Sequence, residues 1–255
     1  MMVAIVLTLA AIFGLLVGSF LNVVIWRVPR ELSVVRPGSS CPSCGHMLRA
    51  RENIPVISYL ALKGKCSKCK KTISSRYPLI ELLTMAAFML MFYHFKSLLI
   101  ASTMSLFVST LLVVSVIDVE TRKIPRKILY AVGPVITFSF LLASFFSTDP
   151  RAMIFRLVVG LGLGFLIFGA LHFIAPRSMG MGDVRLGAFI GLPLGFFGIW
   201  AVVDFIYGSF LLGSIFGIAY AIRRSKSLRV AIPFGPFMSL AAIISLFIYP
   251  SIRIF

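Results

Sequence analysis

In a chain of 255 residues, a hydrophobic share of 59% and a mean hydropathy of +1.02 exclude a water-soluble globular domain. The formal net charge of +17 would point to nucleic acid in a soluble protein. Here 21 of the 25 Lys and Arg fall in four short segments between membrane-length apolar runs, the pattern of cytoplasmic loops, so no nucleic-acid partner is expected.

The first apolar run, residues 2–25, has no basic residue before it and is followed by Arg27 and Arg30. It is expected to be a retained transmembrane helix with its amino end outside, not a cleaved signal. Residues 26–78 carry eleven Lys and Arg and all four cysteines, as Cys41-Pro42-Ser43-Cys44-Gly45 and Cys66-Ser67-Lys68-Cys69. Two such knuckles with 21 residues between them have the spacing of a four-thiolate zinc site. The charge places the loop in the reducing cytoplasm, where disulfides are disfavoured. A zinc-ribbon-like domain is expected, with one structural Zn2+ on Cys41, Cys44, Cys66 and Cys69; the competing reading is two redox-active or free cysteine pairs.

Residues 79–117 are long enough for two helices turning at Lys96, and residues 128–175 for two more, broken at Ser147-Thr148-Asp149-Pro150-Arg151. Residues 186–221 also have to cross twice, with the break expected at Gly191-Leu192-Pro193-Leu194-Gly195. A last helix follows Val230. Basic clusters on one side require even numbers of crossings between them, which predicts an all-α polytopic protein of eight transmembrane helices with both termini outside. The domain reading is a first helix at 1–25, the four-cysteine domain at 26–78 and a seven-helix membrane region at 79–255. No internal repeat is evident.

Asp and Glu number only 8, so each one near lipid requires a reason. Asp118 ends the apolar run 106–117, and Asp183 ends the turn Met179-Gly180-Met181-Gly182-Asp183. The bland reading has them solvated and paired with Arg122 and Arg185. Against it, Gly180 and Gly182 permit a close backbone approach that would bring Asp183 against a partner. Two carboxyls at one interface share a proton and supply a general base and a general acid, enough to hydrolyse a peptide bond. Glu120 is the main rival of Asp118. Glu81, at the start of a helix, fits its dipole; Asp204, inside an apolar run, has no assigned role. His172 reads as a satisfied polar group, and the glycine turn lacks the Lys and Ser or Thr of a phosphate loop.

Ordered motifs then carry a resemblance. They are Gly18-Ser19-Phe20-Leu21-Asn22-Val23-Val24-Ile25-Trp26-Arg27-Val28-Pro29, the paired cysteine knuckles, Asn53-Ile54-Pro55-Val56-Ile57-Ser58-Tyr59-Leu60 and Ser75-Arg76-Tyr77-Pro78-Leu79-Ile80-Glu81. Asp118 upstream of Ile124-Pro125, Gly180-Met181-Gly182-Asp183-Val184-Arg185-Leu186 and Ile232-Pro233-Phe234-Gly235-Pro236-Phe237 complete them. Over nearly its whole length the chain resembles the bacterial type IV prepilin leader peptidases. The resemblance implies a bifunctional enzyme of the cytoplasmic (inner) membrane. Its aspartic catalytic pair maps onto Asp118 and Asp183 and cuts the basic leader from prepilins and type II secretion pseudopilins. It also implies methylation of the new amino terminus from S-adenosylmethionine, at a site no motif locates. Arg126 departs from the family pattern, which has Asp or Asn after the Ile-Pro or Leu-Pro pair. The alternatives are an ion-coupled secondary transporter using Asp118, Asp183 and Asp204, and an inactive zinc-ribbon scaffold.

Overall fold

The computed structural model describes residues 2–176, 179–224 and 232–249. Val230, where the last helix was expected to begin, lies outside the described residues, as do Arg177, Lys226, Arg229 and Arg253. Nine α-helices are formed among the described residues: α1 (Met2–Arg27), α2 (Ile57–Ala61), α3 (Arg76–His94), α4 (Leu98–Thr121), α5 (Arg126–Phe145), α6 (Pro150–Ile174), α7 (Met181–Phe197), α8 (Ile199–Arg224) and α9 (Gly235–Ile248). No strand accompanies them there; β-structure is limited to two isolated bridges.

Six of these helices, α1, α3, α4, α5, α6 and α8, are long and apolar enough to cross a membrane. In hydrocarbon only a continuous helix or a closed barrel satisfies the backbone, which is why the apolar runs fold this way. Helices α7 and α9 have 17 and 14 residues, short of the roughly 20 that span a bilayer. The turns at Lys96 and at Ser147–Asp149 fall where the polar residues interrupt the runs.

The chain forms two compact units, Met1–Ser109 and Thr110–Phe255. In the first, α1 packs on α3 along one stripe, Ala10, Gly14, Gly18, Asn22 and Ile25, and exposes its other faces. The glycines permit this: a Cβ at Gly14 would lie 2.8 Å from Met85 Cα, and one at Gly18 2.7 Å from Glu81 Cα. Asn22 Nδ2 completes the seam by donating to Tyr77 O at 3.0 Å.

The loop between α1 and α3 contains an internal repeat that the sequence did not show by inspection. The Cys41 N–H donates to His46 O and the Cys66 N–H to Lys71 O, both at 2.9 Å. Gly45 and Lys70 return bonds to Cys41 O and Cys66 O, and bridges Ser40 with Met47 and Lys65 with Thr72 close each knuckle. Every member of the second knuckle is the first shifted by 25 residues. The equivalence is backbone geometry: Gly45 and Lys70 share a positive φ, 68° and 58°, with different side chains, so composition hides it.

In the second unit α7 is the core element, packed by α5, α6, α8 and α9, with Leu186, Ile190, Leu194 and Phe196 fully buried. Phe140, Phe168 and Phe205 are fully buried as well. Helices α6 and α7 meet backbone to backbone: a Cβ at Gly164 would collide with Gly187 O, and one at Gly191 with Gly160 O. This overturns the expected break at Gly191–Gly195. Those residues, with Pro193, lie inside α7, and the chain breaks instead at Gly198, whose φ of 143° favours glycine. Small residues in a lipid-embedded helix serve close packing, and neighbouring helices tolerate an internal proline.

Candidate active site

Asp118 lies near the C-terminal end of α4, one turn before Arg122 takes a left-handed φ of 55° and ends the helix. It is 5% exposed. The negative end of its own helix would disfavour a charge there. A second helix offsets this: Oδ2 accepts the backbone N–H of Gly235 at 2.9 Å, and Gly235 is the first residue of α9. Thus the positive end of α9 faces the carboxylate. A side chain at Gly235 would place its Cβ 2.8 Å from Asp118 Oδ2, so only glycine allows this approach.

Asp183 occupies the first turn of α7. Its Oδ2 accepts the Gly180 N–H at 3.0 Å, and its own N–H donates to Gly180 O at 3.0 Å. Glycine has no side chain to return a cap, so this is the carboxylate half of a capping box. A Cβ at Gly182 would lie 3.0 Å from Ile124 Cβ, which shows how closely the first turn of α7 sits against the segment following α4. Of the two glycines, Gly182 makes a close approach to another segment, and its neighbour is Ile124 of this chain. Asp118 and Asp183 belong to the same compact unit. Each sits at the amino end of a helix, α9 for Asp118 and α7 for Asp183, and neither forms an ion pair with Arg122 or Arg185.

His172, on α6, bonds Met179 O through Nδ1 at 2.7 Å. A carbonyl can only accept, so Nδ1 carries a proton, and the bond braces the turn ahead of Asp183. Glu120 is exposed, on the side of α4 away from Asp118, as a spacing of two residues requires. Asp204 accepts the Tyr249 hydroxyl at 2.6 Å. Glu81 does not start a helix as expected. It is the sixth residue of α3, buried, and accepts the Val56 N–H at 2.7 Å, because the loop folds back onto α3. The residue that sequence reasoning passed over is Gly235; its signal was Phe-Gly-Pro, a proline placed to start a helix.

In the first unit the four cysteine sulfurs lie within 4.8 Å of one another, with Cys41 to Cys69 at 3.9 Å and Cys44 to Cys66 at 4.0 Å. A tetrahedral zinc with bonds of about 2.3 Å sets its sulfurs about 3.8 Å apart, so the donor set fits a metal. The Ser43 N–H and then the Cys44 N–H pull the Cys41 thiol down to about 6, a bias toward thiolate. Cys44 rises to about 11: the His46 N–H lowers it, but burial and the other three sulfurs outweigh that donor. Four thiols this close ionise together only around a cation. Beside them Glu52 accepts from Ser67, the Arg49 N–H and His46, and is held down at about 2.

Two carboxylates at helix ends in a polytopic helical protein are what a membrane hydrolase of the aspartic class requires, and comparison with known proteins gives that class. The model of the Bacterial Peptidase A24 N-terminal domain matches residues 12–95, and that of the Type IV leader peptidase family matches residues 104–222. The chain is 32% identical to the Prepilin leader peptidase/N-methyltransferase of Dichelobacter nodosus, over 90% of this chain and 87% of that protein. It is 34% identical to the protein so named from Pseudomonas aeruginosa, over 92% and 88%, and 32% identical to that of Bacillus subtilis, over 94% and 93%. No solved structure matches. The chain belongs to the type IV leader peptidase family.

Proposed function

We propose that this protein is a membrane aspartic endopeptidase that removes the leader peptide from type IV prepilins and type II secretion pseudopilins. What supports the reading is that Asp118 meets the amino end of α9, while Asp183 lies in the first turn of α7, whose Gly182 closely approaches Ile124, six residues after Asp118. One carboxylate takes a proton from water as it attacks the scissile carbonyl; the other donates its proton and protonates the departing amine. The two helix ends stabilise the charge that the pair retains. A prepilin combines a basic leader in water with an apolar helix in lipid, so its scissile bond lies at the interface and reaches the pair from the side. An ion-coupled transporter finds no support in the family.

The finer organisation follows from charge. If the shorter α7 and α9 cross as well as the six longer helices, eight crossings with both termini outside put the basic segments, and with them the two aspartates, on the cytoplasmic face of the inner membrane. Residues 1–25 are the first transmembrane helix, 26–78 the four-cysteine domain and 79–255 the peptidase region. Cys41, Cys44, Cys66 and Cys69 hold a structural Zn2+ that ties the two knuckles together.

The relatives are named for N-methyltransfer as well, and S-adenosylmethionine is the methyl donor that this activity implies. A cavity of about 260 Å³ beside α1 does not fit it. It is smaller than the usual ~300–1,000 Å³ of a cofactor site, and no carboxylate lines it to receive a ribose. No residue is assigned to the donor.

The test is leader removal from a prepilin by the purified protein in detergent, with Asp118→Asn and Asp183→Asn beside the parent chain. Cleavage by the parent alone is expected; undiminished cleavage by both variants would refute the pair.

A further inference from the structure

We propose that residues 54–60 of the cysteine-containing loop are embedded in the bilayer interface, with Ile54, Ile57 and Leu60 among the upper acyl chains and the neighbouring cations on anionic headgroups. The first observation is depth. Glu81 lies five residues into α3, about 8 Å along a membrane-crossing helix. Its carboxylate accepts the Val56 N–H at 2.7 Å, so α2 starts beside the second turn of that helix. On the other side, Asn53 and Pro55 share a cavity with Ser19, Phe20 and Val23 of α1. The segment thus sits level with two membrane-crossing helices at the ends that bear the loop.

The second observation is what this segment leaves uncovered. Ile54, Ile57 and Leu60 are 43%, 63% and 68% exposed. At the same level α3 exposes Leu79 and α1 exposes Phe20, residues whose surroundings in a membrane are lipid. A helix of five residues has no stability of its own, and an apolar face buried in lipid supplies it. Charge completes the match. Arg51, Lys63 and Lys65 flank the segment, all exposed, and the nearby acid, Glu52, is taken up by His46 and the Arg49 N–H. Aliphatic side chains ringed by cations fit a leaflet of anionic lipid.

Seating the loop on anionic headgroups would also reduce its repulsion of a basic leader. That consequence rests on the peptidase reading. The placement itself does not, and the experiment below involves no cleavage, so either can fail alone.

The full chain carrying Trp26→Phe and Trp200→Phe is reconstituted into vesicles of phosphatidylcholine and phosphatidylglycerol, with Leu60→Trp as a fluorescent reporter and Ile57→Trp as an independent second one. The expected result is blue-shifted emission, reduced by about half or more by acyl chains brominated at the 6,7 positions, as insertion of about 5–10 Å requires. Emission of the water-exposed type, quenched by aqueous iodide and not by brominated lipid, would overturn the proposal. So would blue-shifted emission that neither reagent reaches, because a protein surface, a second copy included, would then cover the segment.

Discussion

The backbone N–H of Gly235 donates to Asp118 Oδ2 at 2.9 Å across 117 residues of sequence, and the space that a side chain would need at Gly235 is filled by that same oxygen. The start of α9 is thereby a part of the candidate site although it contributes no side chain. Gly235→Ala keeps the N–H but brings a methyl against the carboxylate. Displacement of a reacting group by about 1 Å costs about 10²-fold in rate. The expected result is a fall of that order in kcat for leader removal with little change in KM, measured by steady-state cleavage of a prepilin in detergent.

Asp118→Asn and Asp183→Asn each keep the shape of the side chain and remove proton transfer. Each alone is expected to lower kcat by at least about 10²–10⁴-fold, the usual share of general acid–base catalysis. Because the two act as one unit, the double variant should be scarcely worse than either single one. A double variant whose loss equals the product of the two single losses would mean that the aspartates act independently.

Metal analysis of the purified chain is expected to find one zinc per molecule, absent from Cys44→Ser and Cys66→Ser. Thiolate ligands must lose their protons to bind, so metal is released as pH falls, and chelator at neutral pH has the same effect. Faster protease nicking within residues 26–78 of the stripped protein provides a second readout. Intact, reduced cysteines with no bound metal would contradict this.

Two glycines of α6, two positions apart, are expected to respond oppositely to alanine. At Gly164 the new methyl would collide with Gly187 O, so Gly164→Ala forces α6 away from α7 and costs about 1–3 kcal/mol, as overpacking does. At Gly162 a Cβ meets nothing within 4 Å, and alanine gains about 0.5–1 kcal/mol of helix preference. Thermal unfolding in detergent distinguishes them by sign, with Gly164→Ala melting lower and Gly162→Ala no lower than the parent chain.

Much of the fold was legible because lipid leaves the backbone few options. Apolar runs interrupted at Lys96 and at Ser147–Asp149 become helices interrupted there, since an unbonded peptide group in hydrocarbon is too costly to occur elsewhere. The rule misled where glycine and proline were read as punctuation, at Gly191–Gly195. In water these residues end helices; against another helix they admit its backbone, and only the position of α6 distinguishes the two uses.

By itself the sequence determined the membrane class, the family and the four clustered thiols, and it nominated Asp118 and Asp183 from a short supply of acids. Residue chemistry and local spacing are sufficient for the membrane class and the thiols, and the ordered motifs carry the family. What the tertiary structure alone decided is how remote backbone serves those side chains: α9 turned toward Asp118, α7 laid against Ile124, Glu81 taken from a helix start to hold Val56. A peptide N–H is the same at every position but proline, so its bond to a given carboxylate leaves no mark in the sequence until packing puts the two within 3 Å of each other.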